Sequence, residues 1–185
     1  MMNSPYGRTF FLQRENEPIG IVNSSPLIYL GKLGLLDLLN KFFPKVITVQ
    51  TVKEEVLDEA SPEYPALQNA FSDWLAVSDD VETSLSVNLK EMGLHQGEVD
   101  VISLALRQKE EHNNVVVIID DLAAREVVRA LGMQLTGTVG VILRASTQGI
   151  LSNKESIAKI NFLVESTSFR ISPSLYSRVI SELMK

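Results

Sequence analysis

The sequence predicts a three-layer α/β/α sandwich around a central, mostly parallel sheet. Three observations carry that prediction. Short apolar runs at Ile19–Val22, Val46–Val49 and Val115–Ile119 alternate with longer stretches of helical periodicity. The last run is five β-branched residues with no polar break, the pattern of a strand buried on both faces of a parallel sheet. No internal repeat, low-complexity tract or linker divides the 185 residues, a length that suits one domain. Strands that alternate with helices in this way build a sheet covered on both sides.

Taken in order, residues 1–18 mix Arg8, Phe10, Phe11, Arg14 and Glu15 without periodicity and are expected to form a tail, leaving 19–185 as the folded domain. Ile19–Val22 reads as a buried strand entering Asn23-Ser24-Ser25-Pro26, where Ser24 or Ser25 caps a helix and Pro26 fits its first turn. Leu27 to Leu39 is leucine-rich, and Gly31 and Gly34 split it into two short helices. Val46–Val49 is a second strand. Thr51 is then expected to cap a helix with Glu54 at capping-box spacing.

Residues 62–75 read as a helix with Leu67, Phe71, Trp74 and Leu75 on one face, and 79–92 as a turn with a short helix. Gln96–Glu111 is the clearest helix, with Val99, Ile102, Leu104, Ala105 and Leu106 recurring near the 3.6-residue period. After the strand Val115–Ile119, Leu122–Leu131 is a helix stopped by Gly132. Met133–Thr136 is a short strand. Helices over 138–147, 155–164 and 173–184 complete the chain.

Composition narrows the chemistry. With no cysteine, the chain has no disulfide, thiolate metal site or cysteine nucleophile. Two histidines, His95 and His112, argue against a multi-histidine zinc site. A formal net charge of −6 is a poor background for non-specific binding to a phosphate backbone. It lowers the case for a DNA-reading module more than that for a nuclease whose metal bridges acid to phosphate. No run approaches the ~20 apolar residues of a membrane span, and residues 1–17 lack the apolar core of a signal peptide. A cytoplasmic protein is expected.

In an open parallel sheet, ligands bind beyond the carboxyl ends of the strands. The polar residues just after the strands are Asn23, then Glu54 and Glu55 on the following helix, and Asp120-Asp121. The helix from Gly97 adds Glu98 and Asp100 in its opening turn. Oxygen ligands of this kind suit Mg²⁺ or Mn²⁺, which keep several waters. Helix-start acids also serve the macrodipole and capping, and that alone accounts for Glu54, Glu98 or Asp121 taken singly. Adjacent Glu54 and Glu55 cannot face one site, and Glu54 is the capping or solvent residue of the two. Asp-Asp ending a buried strand is the most specific local signal, although unrelated phosphate-transfer domains carry it too.

Read together, these segments resemble the PIN-domain family, especially a branch of prokaryotic members related to VapC-type toxins. The matching stretches are Ile21–Ile28, Val52–Val56, Gly97–Ile102, Ile119–Arg125 and Gly137–Ile142. The resemblance implies a Mg²⁺- or Mn²⁺-dependent endoribonuclease acting on RNA. In many members it is a homodimer, and in some the toxin paired with a small antitoxin protein. Carried over by position, the family's acids fall on Asn23, on Glu55, on Glu98 with Asp100, and on Asp121 or Asp120. Glu55, Glu98 and Asp121 would be catalytic, with all six as metal ligands. Thr138 matches a polar residue near the site, and Ser24 or Ser25 would bind phosphate.

Asn23 departs from the family pattern, which places Asp there. An amide oxygen still binds a metal but brings no charge, so a catalytically weakened binding module is the alternative reading. Arg125, one turn beyond Asp121, is placed to meet phosphate or, more in keeping with surface arginines, to pair with a carboxylate. Phe42, Phe43 and Trp74 read as core, His95 as a surface or capping residue, and Lys32, Lys53 and Arg129 as solvated. A receiver-like phosphoacceptor domain ranks last, because no lysine follows a later strand as such a site needs.

Overall fold

The computed structural model describes residues 18–79, 89–90, 93–112 and 114–185. The expected tail, apart from Pro18, and most of the expected turn and helix over 79–92 lie outside the described residues. The strands are β1 (Ile19–Val22), β2 (Lys45–Val49), β3 (Leu75–Ser78), β4 (Val115–Ile118) and β5 (Gln134–Thr136). The helices are α1 (Ser24–Lys32), α2 (Asp37–Phe42), α3 (Gln50–Val56), α4 (Tyr64–Asp73), α5 (Gln96–Glu111), α6 (Leu122–Ala130), α7 (Thr138–Thr147), α8 (Asn153–Ser166) and α9 (Pro173–Leu183).

The sheet order is β3-β2-β1-β4-β5, and every pairing among these strands is parallel. Central position explains the unbroken apolar runs. β1 is buried at all four positions, and Val117, Ile118 and Ile119 are fully buried. Helices packed over the sheet leave the side chains of these central strands no water-facing side, which favours β-branched residues. The core continues through Leu27, Leu39, Val52, Leu67, Ile102 and Leu104 on the covering helices. A second cluster, built on Ile142, Ile160, Leu163, Phe169 and Val179, fastens α8 and α9 to α7. Tyr29 of α1 joins it, edge-on to Phe169 at 5.0 Å between ring centres.

Several expectations hold in detail. Gly34 and Gly132, at φ +67° and +64°, end α1 and α6 where other residues would be strained. Phe42 and Phe43 are core residues, and Trp74 packs against the core. Three expectations are corrected. Residues 74–75 leave the helix, and Leu75 opens edge strand β3, which pairs with Val46–Val49 of β2. Ser24 and Ser25 lie inside α1, whose cap position is Asn23. α3 begins at Gln50, so Thr51 does not cap it; its hydroxyl goes instead to Asp100 at 2.8 Å.

Candidate active site

Going from β1, the chain steps outward through β2 to β3, then returns to lay β4 on the other side of β1. The direction of winding therefore switches between β1 and β4, and helices diverge there to leave a crevice at the strands' carboxyl ends. Asn23 follows β1 on one lip and Ile119-Asp120-Asp121 follow β4 on the other, tied by the Asn23 N–H donated to the Ile118 carbonyl at 3.0 Å.

Asn23 is 2% exposed, and its Oδ1 is buried without a hydrogen-bond partner among the described residues. Such an orphan acceptor costs about 1–3 kcal/mol unless something meets it. Facing it, across Gly97 of α5, is Glu55. A methyl group placed on Gly97 would stand 3.5 Å from Glu55 Oε2 and 3.8 Å from Asn23 Oδ1. The absent side chain at Gly97 thus opens a cradle between two oxygens from separate segments.

Glu98, next along α5, is buried and accepts the His95 N–H at 2.9 Å. Burial raises its carboxyl above the ordinary range. The His95 bond opposes the shift, while the negative charges of Asp121 and Glu55 add to it. Glu98 therefore feels both other acids, from α3 and from the end of β4. His95 sits at the cap position of α5, as expected of a capping residue.

The two aspartates after β4 do different work. Asp121 is exposed and caps α6, accepting the Ala124 N–H at 2.8 Å. Asp120 turns inward and accepts both the N–H of Thr138, at 2.8 Å, and its hydroxyl, holding the start of α7. Burial raises the Asp120 carboxyl, against the pull of those two bonds and of Arg125's charge. Arg125 donates to the carbonyls of Ile119 at 2.7 Å and Thr136 at 3.2 Å, clamping the ends of β4 and β5. Its hydrogen bonds thus go to main chain, while its charge also acts on the neighbouring Asp120 carboxylate.

Asp100 is buried and engaged as well. Its two oxygens accept from Thr51 at 2.8 Å and Gln96 at 2.6 Å, joining α3 to α5. Ser24 is buried at the start of α1, and Ser25 is half-buried one residue on, lining a cleft it shares with Glu55. Glu54 takes a bond from Gln50 at 2.8 Å on the outer face of α3, apart from Glu55. The structure thus draws Asn23, Glu55, Glu98 and Asp121 towards one rim and commits Asp100, Asp120 and Thr138 to internal bonds. Among the described residues, no three His, Asp or Glu side chains stand close enough to hold one ion directly. An ion bound partly through water, as Mg²⁺ prefers, needs only the looser set seen here.

The consequence of two residues escaped the sequence reading. Gly97 carries no chemistry and signals nothing until its neighbours are placed. Glu63, just before α4, is 3% exposed, and nothing in its local sequence marks it as buried.

A doubly wound parallel sheet with acids at its switch point defines a class of α/β proteins whose ligands bind beyond the strands' carboxyl ends. A family model described as a PIN domain matches residues 19–185, and the chain belongs to the PIN-domain family. It is 31% identical over 98 residues to Endoribonuclease Nob1 of Archaeoglobus fulgidus, covering 51% of this chain and 58% of that protein. The chain thus spans somewhat over half the length of the curated relative it matches. No solved structure matches. No helix among the described residues is long and apolar enough to cross a membrane.

Proposed function

We propose that this chain is a metal-dependent endoribonuclease whose site comprises Asn23, Glu55, Glu98 and Asp121, with Mg²⁺ or Mn²⁺ as cofactor. The observation that carries the reading is the buried, unpartnered Asn23 Oδ1 facing Glu55 across the space at Gly97. An acceptor with no donor is what an oxygen-seeking cation satisfies. Family membership and the likeness to an endoribonuclease support the substrate class.

A bound divalent cation supplies Lewis-acid neutralisation of the charge that builds on a phosphodiester during hydrolysis. The protein's own groups divide the remaining work. Asn23 and Glu55, both beside the space at Gly97, would hold the ion. Glu98, its carboxyl raised by burial, is a stronger base than an exposed carboxylate and is suited to take a proton from an attacking water. Asp121 gives negative charge from the β4 side. Asp120, Thr138 and Arg125 fix the main chain that carries Asp121, and Asp100 fixes α5 against α3. In this reading residues 19–185 form the working domain, cytoplasmic and homodimeric. An antitoxin partner is proposed on the likeness to toxin-type members.

The test is cleavage of RNA by the purified chain with Mg²⁺ or Mn²⁺, lost on chelation and in Asp121→Asn and Glu98→Gln. Cleavage that survives both substitutions rejects this site. One observation favours a second reading, a binding module that has lost turnover: Asn23 brings no charge where the family has an acid. Metal-dependent cleavage by the unaltered chain excludes it.

A further inference from the structure

A cleft of about 320 Å³ opens beside the candidate site, walled by Ser25, Tyr29 and Lys32 of α1, by Glu55 of α3 and by Glu63 just before α4. Glu55 belongs to both places, so the cleft opens from the candidate site, and Asp58, which accepts the Ala60 N–H at 3.0 Å and the Ser61 hydroxyl at 3.2 Å, lines it further on. From Ser25 to Lys32 it follows seven helical residues, about 10 Å at 1.5 Å each. That exceeds the ~3.4 Å rise of one stacked nucleotide and leaves room for one beyond the reacting phosphate.

The far end of the cleft holds an unusual pair. Glu63 is 3% exposed, and Gly31 makes space for it: a methyl on Gly31 would come within 2.9 Å of Glu63 Cβ. Lys32 Nζ lies 3.8 Å from Glu63 Oε1, beyond hydrogen-bond distance, and Glu63 Oε2 is buried with no partner among the described residues. The cleft therefore presents an acceptor that lacks a donor beside a cation that holds no close oxygen of that carboxylate. A phosphate alone satisfies the cation and is repelled by the acid. A ribonucleotide satisfies both, because its 2′-hydroxyl is a donor on the same sugar as its 3′-phosphate. A deoxyribonucleotide lacks that donor.

We propose that this cleft binds the ribonucleotide adjoining the scissile phosphate, its own phosphate on Lys32 and its 2′-hydroxyl on Glu63, and so makes the chain prefer RNA to DNA. The inference rests on the nuclease reading for the placement of the scissile phosphate. The preference itself is read by binding alone.

The experiment measures fluorescence anisotropy of a labelled single-stranded oligoribonucleotide and its all-deoxy counterpart, with Mg²⁺, on the full chain carrying Asp121→Asn to stop turnover. RNA is expected to bind about tenfold tighter than DNA, a difference of one well-placed hydrogen bond to a charged group. Adding Lys32→Met should weaken both about tenfold and reduce the salt slope by roughly 0.7, the value for one phosphate contact on a single strand. Adding Glu63→Leu, which deletes the acceptor, should remove most of the RNA preference and leave DNA binding within about twofold. If Glu63→Leu fails to fold, a 2′-O-methyl oligoribonucleotide on the Asp121→Asn chain decides: lacking the donor, it should bind as weakly as DNA, and binding as tight as RNA overturns the proposal.

Equal affinity for RNA and DNA overturns the proposal, as does RNA binding indifferent to Lys32→Met. Cleavage by the unaltered chain together with either result sinks this inference alone. RNA preference without cleavage sinks the nuclease reading instead.

Discussion

Thr138 gives Asp120 both its N–H, at 2.8 Å, and its hydroxyl, so the first acid of the Asp120-Asp121 pair serves α7 while the second is left for the crevice. The two should separate on substitution. Asp120→Ala strands the Thr138 donors and removes the negative charge beside Arg125, at a cost of about 2–4 kcal/mol. Asp121→Asn keeps an equally good helix cap and should cost under about 0.5 kcal/mol, yet abolish metal-dependent RNA cleavage. Urea denaturation and a cleavage assay on both proteins check this; a stable, active Asp121→Asn contradicts the assignment.

That division of labour was not legible in the sequence, and the reason is physical. Both aspartates follow the same strand, and only the path of the chain leaving Ile119 turns one inward and one outward. The parallel core strands were legible because burial on both faces leaves an uninterrupted apolar run. β3 was not: only Leu75 of its four residues is buried, and it joins α4 after a single intervening residue. Thr51 and Glu54 fit a capping box by spacing, but a buried Asp100 competes for the Thr51 hydroxyl and wins. Which acids follow the strands could be read from sequence; the gap at Gly97 that lets Asn23 and Glu55 share a space could not.

Asn23→Asp tests whether the amide limits the site. A second carboxylate beside Glu55 adds repulsion in the metal-free chain and lowers its melting temperature in chelator. With Mn²⁺ the same charge should tighten binding about tenfold and raise cleavage. Titration of the metal-induced rise in melting temperature reads the affinity. An unchanged midpoint means that Asn23 Oδ1 does not meet the ion.

Glu98 sets a pH dependence for the metal-free protein. Its carboxyl is raised by burial, so the folded chain holds that proton to higher pH than the unfolded chain. The contribution to stability is complete below the unfolded value of 4.5 and is lost as pH rises through the folded value. In chelator, Glu98→Gln should therefore match the parent at pH 4 and melt higher at pH 8. Addition of Mg²⁺ should raise the parent's melting temperature and barely move the variant's. A variant less stable than the parent at pH 8 in chelator would show that the Glu98 charge is compensated within the protein.

Gly97→Ala asks whether the space between Asn23 and Glu55 is functional or incidental. The added methyl meets Glu55 Oε2 and Val52 Cγ2 at 3.5 Å and Asn23 Oδ1 at 3.8 Å, all ordinary contacts, and alanine suits a helix better than glycine by up to ~1 kcal/mol. Stability should hold or rise slightly. The methyl would nevertheless occupy the volume in which a cation and its waters must bridge the two oxygens, so metal affinity and RNA cleavage should fall at least about tenfold. Stability and activity moving in opposite directions distinguish a kept cavity from a packing accident. A fully active Gly97→Ala would place the ion away from Asn23.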